Sequence, residues 1–266
     1  MIATVDIPFD EFSSFLRGPA LAPAKIREAF HSESANYFTE SLIDLKEHPQ
    51  IKNLPTLQLS AGTSRTKAIE VEMTKILAQY NKVLSLGGDH SITYPIIKAF
   101  SKKFKHLTIL HIDAHPDLYD EFEGNKFSHA CPFARIMEEG LATRLVQVGI
   151  RTMAKHQREQ ADKFGVEVIQ MKDFNPLHRF DFMGPVYISL DIDAIDPAFA
   201  PGVSHHEPGG FTSREVISIL QNLHPTVVGA DLVEFNPTRD PSGITAMLAA
   251  KLYKELLDVL LRSTNE

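Results

Sequence analysis

Short runs of β-branched and aliphatic residues alternate with amphipathic stretches along the whole chain, the pattern of strands joined by crossover helices into a parallel sheet. The apolar runs place strands near residues 1–6, 56–60, 82–86, 107–112, 144–149, 166–170, 185–191 and 226–232. Helical spacing places helices near 66–80, 94–104, 129–140, 155–164, 213–223 and 243–262. In the first of these, Ile69, Met73, Ile76, Leu77 and Tyr80 recur at three and four, as a helix buried on one face requires. Val83-Leu84-Ser85-Leu86, by contrast, is too short a run for a helix. The least regular stretches, 31–66, 113–128 and 192–212, are rich in Gly, Pro, Ser, His and Asp. No internal repeat, low-complexity segment or linker divides the chain, so the expectation is a single α/β domain over residues 1–266.

Composition narrows the partners. The 266 residues are 43% hydrophobic, enough for a substantial core. Lys and Arg number 27 against 34 Asp and Glu, a net charge of -7, and no basic tract follows a phosphate backbone, which argues against nucleic acid. The single cysteine, Cys131, excludes an internal disulfide framework and suits a reducing compartment, with the cytosol as the expected location. Neither a signal peptide nor a membrane helix is expected from the apolar pattern.

In an open parallel sheet, ligands bind beyond the carboxyl ends of the strands, where they run out into loops. Four segments fit. Leu84-Ser85-Leu86 leads into GGDHS at 87–91, Leu110-His111-Ile112 into DAHPD at 113–117, Ile188-Ser189-Leu190 into Asp191-Ile192-Asp193, and Gly229-Ala230-Asp231 into LVEFNP. Because extended residues alternate sides, Asp113, His115 and Asp117 can share one face, as can Asp191 and Asp193. With His90 the set comprises four carboxylates and two imidazoles, too many anions to crowd together without cations. Two divalent metals satisfy it. Oxygen donors with a minority of imidazole suit Mn²⁺ better than the Cys and His sets of structural zinc, while Co²⁺, Fe²⁺ and Zn²⁺ share the ligand chemistry.

The parts are individually weak. Asp-x-His and a lone Asp-x-Asp are commoner as caps and turns than as ligand pairs, and only the constellation carries the reading. His111 shares the parity of Asp113 but lies further back in its strand, so it reads as a buried supporting or packing residue rather than a ligand. His31, His48, His106, His178 and His224 lie in polar surroundings and read as solvated. Gly87 and Gly88 permit a tight turn, and Cys131 reads as a packing residue rather than a nucleophile.

Taken together, these residues resemble the ureohydrolases, the family of arginase, agmatinase, guanidinobutyrase, formiminoglutamase and proclavaminate amidinohydrolase. The resemblance covers nearly the whole chain: GGDHS at 87–91, DAHPD at 113–117, SLDIDAIDPAFAPG at 189–202, EPGGFTSRE at 207–215 and ADLVEFNP at 230–237. SSFLRGPALAPAKIREA at 13–29, EGNKFSHACPFARIME at 123–138 and APGVSHHEPGG at 200–210 look like the plant-type arginases. The resemblance implies a three-layer α/β/α fold around an eight-stranded parallel sheet, two Mn²⁺ per subunit, a small guanidino substrate split into urea and an amine, and a homo-oligomer, trimer or hexamer. It implies one metal held by His90, Asp113, Asp117 and Asp191 and the other by His115, Asp113, Asp191 and Asp193. It further implies proton transfer by Asp117 and His129, guanidinium binding by Glu234, and substrate contacts from Asn125, Ser128 and His205.

L-Arginine is the expected substrate, with agmatine or another guanidino acid as alternatives. One departure bears on that choice. After Gly149-Ile150-Arg151, plant-type arginases carry an acidic residue where this chain reads Thr152-Met153-Ala154-Lys155-His156-Gln157. A metallophosphoesterase is disfavoured by the lack of a Gly-Asn-His-Glu block and of a late Gly-His-x-His pair, and a one-metal deacetylase does not need His90 and Asp117. A catalytically silent binding scaffold is disfavoured because every expected ligand is present.

Overall fold

The structure, a computed structural model, describes residues 1–59 and 64–263. Eight strands form one sheet: β1 (Ile2–Ile7), β2 (Ile51–Asn53), β3 (Lys82–Gly87), β4 (Thr108–Ile112), β5 (Arg144–Ile150), β6 (Glu167–Gln170), β7 (Pro185–Asp191) and β8 (Thr226–Val233). Their order is β2-β1-β3-β8-β7-β4-β5-β6, and every pairing is parallel. The helices are α1 (Ala22–Phe30), α2 (Arg65–Gln79), α3 (Thr93–Lys103), α4 (Pro132–Glu138), α5 (Lys155–Phe164), α6 (Ser213–Gln221) and α7 (Ile244–Arg262).

Alternation along the strands builds two cores. Leu84, Leu86, Leu110, Ile188 and Leu190 face α1, α6 and α7, whereas Val83, Ile109, Leu145 and Tyr187 face α2, α3 and α4. Because both faces are covered, the central strands read as nearly continuous apolar runs rather than alternating ones. The three-layer α/β fold expected from the sequence is the one observed.

Two expectations about elements differ from the structure. The strand expected at 56–60 is absent over 56–59, and residue 60 lies outside the described residues. Pro55 has no N–H, so the segment runs beside β1 with only isolated bonds, Leu54 N–H to Thr4 O and Leu57 N–H to Asp6 O, both 2.9 Å. The edge strand β2 instead falls at Ile51-Lys52-Asn53, inside a stretch expected to be irregular. Helix α1 was also not anticipated, because Pro23 masks its start; proline is tolerated there since a first-turn N–H has no intrahelical partner.

The four strands whose exits carry the acidic and histidine motifs, β3, β8, β7 and β4, are consecutive in the sheet. Motifs far apart in sequence are thereby delivered side by side.

Candidate metal centre

The exit of β3 turns at Gly88, where a Cβ would lie 1.7 Å from the Phe9 carbonyl oxygen, so only glycine admits the loop after β1. Asp89 then caps the turn by accepting the Ser91 N–H (3.1 Å), and His90 is directed inward with no exposure. Its Nδ1 lies 3.2 Å from Asp113 Oδ2, 3.2 Å from Asp117 Oδ2 and 3.1 Å from Asp191 Oδ2.

The protonation pattern behind His90 tests whether a cation fits. Ser189 Oγ donates to Asp231 Oδ1 (2.7 Å), so it can only accept from His90 Nε2 (2.9 Å). The neutral ring is therefore protonated at Nε2, and Nδ1 directs a lone pair at three carboxylate oxygens while making no hydrogen bond. Only a proton or a metal ion relieves that arrangement. Burial opposes a charge on His90, yet the three carboxylates hold its pKa well above the ordinary histidine value. The donor set fits a divalent cation.

A second group adjoins the first. His115 Nδ1 lies 3.0 Å from Asp193 Oδ2 and 3.5 Å from Asp113 Oδ1. Asp113, Asp193 and His115 together can hold an ion, and so can His90, His111 and Asp113. Asp113 thus turns one oxygen to each group. Asp191 meets His90 through Oδ2, while its Oδ1 accepts the Asp193 N–H (2.7 Å).

His111, although part of the first group, has both ring nitrogens engaged in hydrogen bonds. Gln147 Nε2 donates to His111 Nδ1 (3.0 Å) and to Pro116 O (2.6 Å), so His111 Nε2–H is left to donate to Asp113 Oδ2 (2.7 Å). Register makes this part of a polar row across five strands: Ser85 pairs Asp231, Asp231 pairs Ser189, Ser189 pairs His111, and His111 pairs Gln147. Asp231, fully buried, accepts Thr93 Oγ1 (2.8 Å) and Tyr187 Oη (2.9 Å) besides Ser189, and burial pushes its pKa above the ordinary aspartate value. No role for Asp231 follows from the motif it sits in. Its signal was an acid in mid-strand within an otherwise apolar run.

Beside the two groups, His129 Nδ1 lies 2.8 Å from Glu234 Oε1, which also accepts the His90 N–H (2.8 Å). His129 Nε2 receives the Ser14 N–H (3.1 Å) and adjoins its hydroxyl (2.8 Å). The loop bearing Ser14 is fastened by Asp89 Oδ2, which takes the Phe12 N–H and the Ser13 hydroxyl, both at 3.1 Å. Burial resists charging His129, but Glu234 raises its pKa to about 9. Burial likewise opposes ionising Glu234, and His129 with the His90 N–H holds its carboxyl below the ordinary glutamate value.

A cavity of about 380 Å³ opens onto His115, Asp117, His129, Asp191, Asp193 and Glu234. His205 lines it, its ring 5.6 Å from that of His129 and 5.7 Å from that of His115. The loop that carries Asn125 and Ser128 contributes Phe122 and Ala130 to the wall instead. Asn125 Oδ1 accepts the Phe127 N–H (2.9 Å) and Ser128 is buried within the loop, so neither side chain lines the cavity. Cys131 is buried, and its thiol is pushed up to about 12, which suits packing rather than nucleophilic chemistry.

Known proteins resemble this chain over nearly its whole length. The arginase family model matches residues 1–258. Arginase 1, mitochondrial, of Arabidopsis thaliana is 48% identical across 94% of this chain and 78% of its own length. The human guanidino acid hydrolase, mitochondrial, is 36% identical across 98% of this chain and 79% of its own. The solved arginase of Medicago truncatula superposes with a TM-score of 0.91 at 41% identity, covering 99% of this chain and 87% of the other.

These relatives correct the expected cytosolic location. The Arabidopsis and rice arginases are named as mitochondrial, and a second Arabidopsis arginase as chloroplastic/mitochondrial. A low cysteine count excludes a disulfide framework but does not distinguish one reducing compartment from another. Among the described residues, no helix is long and apolar enough to cross a membrane. With the family model spanning nearly the whole chain and plant arginases sharing almost half of its residues, the protein belongs to the arginase family of hydrolases.

Proposed function

We propose that this hydrolase cleaves L-arginine to L-ornithine and urea with two Mn²⁺ ions. The observation that carries the two-metal reading is Asp113, which faces the His90 group with Oδ2 and the His115 group with Oδ1, so that two ligand sets share one carboxylate. The preference for arginine is supported by 48% identity to plant arginases. His90, Asp113, Asp117 and Asp191 would hold one ion, and His115, Asp113, Asp191 and Asp193 the other. Bound there, a pair of divalent cations supplies the means to acidify water into a nucleophile at neutral pH.

The protein's own groups handle the substrate. A guanidinium is resonance-stabilised and needs fixing against its nucleophile. Glu234 Oε1 already accepts two hydrogen bonds, whereas Oε2 has no partner among the described residues, so Oε2 takes the guanidinium N–H in a charge-assisted bond. His129 holds a proton at Nδ1 against Glu234, and its Nε2 meets the Ser14 hydroxyl at the cavity wall, a path for protons between solvent and site. Asp117 takes a proton from the attacking water and passes it to the departing amine. His205 packs against the bound guanidino group.

Urea release and metal content of the Mn²⁺-loaded protein test this reading. Asp191→Ala should abolish urea release from arginine and lower bound metal below the wild-type level. Full activity with both metals retained would refute the assignment.

A further inference from the structure

The far end of the cavity differs in character from the metal end. Its wall is formed by Tyr119, Phe122, Ala130, Thr152, Met153 and Ala154, and among the described residues that line it there is no lysine or arginine. Every carboxylate in the lining, Asp117, Asp191, Asp193 and Glu234, sits at the metal end. Glu207, 3.6 Å from His115 Nε2 and so beside the metal centre, is not part of the wall. An ammonium on the substrate's tail therefore meets no carboxylate there.

A carboxylate meets donors. Gln157 is 4% exposed and lines the cavity. Its amide orientation is settled by chemistry: Oε1 accepts the Ala154 N–H at 3.0 Å, and since a backbone N–H can only donate, the other atom is Nε2. Nε2 has no hydrogen-bond partner among the described residues, and it is not sealed from solvent as an orphaned interior atom would be. Helix α5 begins at the same wall. Its N-cap, Ala154, has no side-chain acceptor to offer, its first turn carries no acidic residue, and the one side-chain contact there is the neutral amide oxygen of Gln157, so no negative charge offsets its positive end.

We propose that Gln157 Nε2 and the amino end of α5 read the carboxylate of the substrate's tail. The protein then takes ω-guanidino carboxylic acids as a class, with or without an α-ammonium, and discriminates against guanidino amines. This rests on the cavity being the guanidino site described above.

The test compares specificity constants of the Mn²⁺-loaded full chain for L-arginine, 5-guanidinopentanoate and agmatine, which share a guanidino end and differ in the tail. The wild type should turn over 5-guanidinopentanoate within about tenfold of arginine, and agmatine at least about 100-fold less well. Gln157→Glu keeps an oxygen to accept the Ala154 N–H but sets an anion where the amide donor was. It should raise KM for both acids by at least about tenfold, leave kcat nearly unchanged and improve agmatine. Agmatine cleaved as well as 5-guanidinopentanoate by the wild type, arginine favoured over 5-guanidinopentanoate by 100-fold, or an unchanged selectivity in Gln157→Glu would each overturn the tail assignment while leaving the guanidino chemistry standing. No urea from any of the three would overturn both.

Discussion

His129 is buried, and its two ring nitrogens meet different partners, the Glu234 carboxylate at Nδ1 and Ser14 at Nε2. Glu234 and Asp117 themselves adopt left-handed backbone conformations, φ 63° and 49°, which non-glycine residues hold only where surrounding structure enforces them. The His129–Glu234 pair makes stability depend on pH. Once charged, the ring donates from Nδ1 to Glu234 and from Nε2 to the Ser14 hydroxyl, no longer accepting the Ser14 N–H. The folded-state pKa of His129, about 9, exceeds the unfolded value of about 6.5, so the contribution of this charged pair is fully present below about pH 6.5 and is lost as pH rises through about 9. In metal-free protein, denaturant unfolding should therefore show His129→Gln strongly destabilised relative to wild type at pH 6, with that part of the deficit gone at pH 9.5. A deficit of equal size at both pH values would show that the pair is not a charged one. The residues gathered around His90 and His115 were legible in the sequence as acid and histidine motifs at strand exits. Past Ile112 and Asp191, however, the backbone is not extended, Asp117 being left-handed and Asp193 lying in a 3-10 turn, so period-two alternation does not set where their side chains point. The Asp231 hydroxyl network and the free amide of Gln157 were not, because both depend on which neighbours register and helix capping bring alongside.

At the scale of elements, α1 shows how a helix with a weak sequence signal is secured. Its Arg27 donates to Asp6 on β1 (2.9 Å), to Thr4 Oγ1 (3.0 Å) and to Tyr253 Oη on α7 (2.5 Å), tying helix, sheet and the last helix together. Removing one partner of such a half-buried pair leaves Asp6 without its counter-charge, so Arg27→Met should lower unfolding stability by about 3 kcal/mol. Because Arg27 makes no contact with the metal cluster, metal stoichiometry should stay at the wild-type value; a parallel loss of metal would mean that β1 and α1 support the site more directly. The contrast between α1 and β3 is instructive. Lys82–Gly87 is buried along its whole length and announces itself as an apolar run, whereas α1 and the three-residue β2 owe their place to long-range contacts. The mistaken strand at 56–60 follows from the same cause: Leu57 and Leu59 alternate as a strand would, but Pro55 and the exposure of Gln58 leave that segment outside the sheet.

For the whole molecule, folding gathers four buried carboxylates and two imidazoles that the unfolded chain keeps apart. Burial and the charges of Asp193 and Asp113 push Asp191 well above the ordinary aspartate range, a sign that metal-free protein carries electrostatic stress at this point. A cation that binds only the folded ligand set relieves that stress and shifts the folding equilibrium by mass action, about 4 kcal/mol at a free concentration a thousandfold above its dissociation constant. The same chain should therefore melt about 10 °C lower after chelation, and Mn²⁺ should restore the midpoint in a concentration-dependent way. Asp191→Ala supplies the control that separates site binding from general effects of the ion. It removes a carboxylate that faces His90 at 3.1 Å and so should show a much smaller Mn²⁺-dependent rise. Equal rises in wild type and variant would place the stabilising ion elsewhere on the protein, while a rise confined to the wild type would tie the stability of the entire sheet to the four strand exits that converge on its centre.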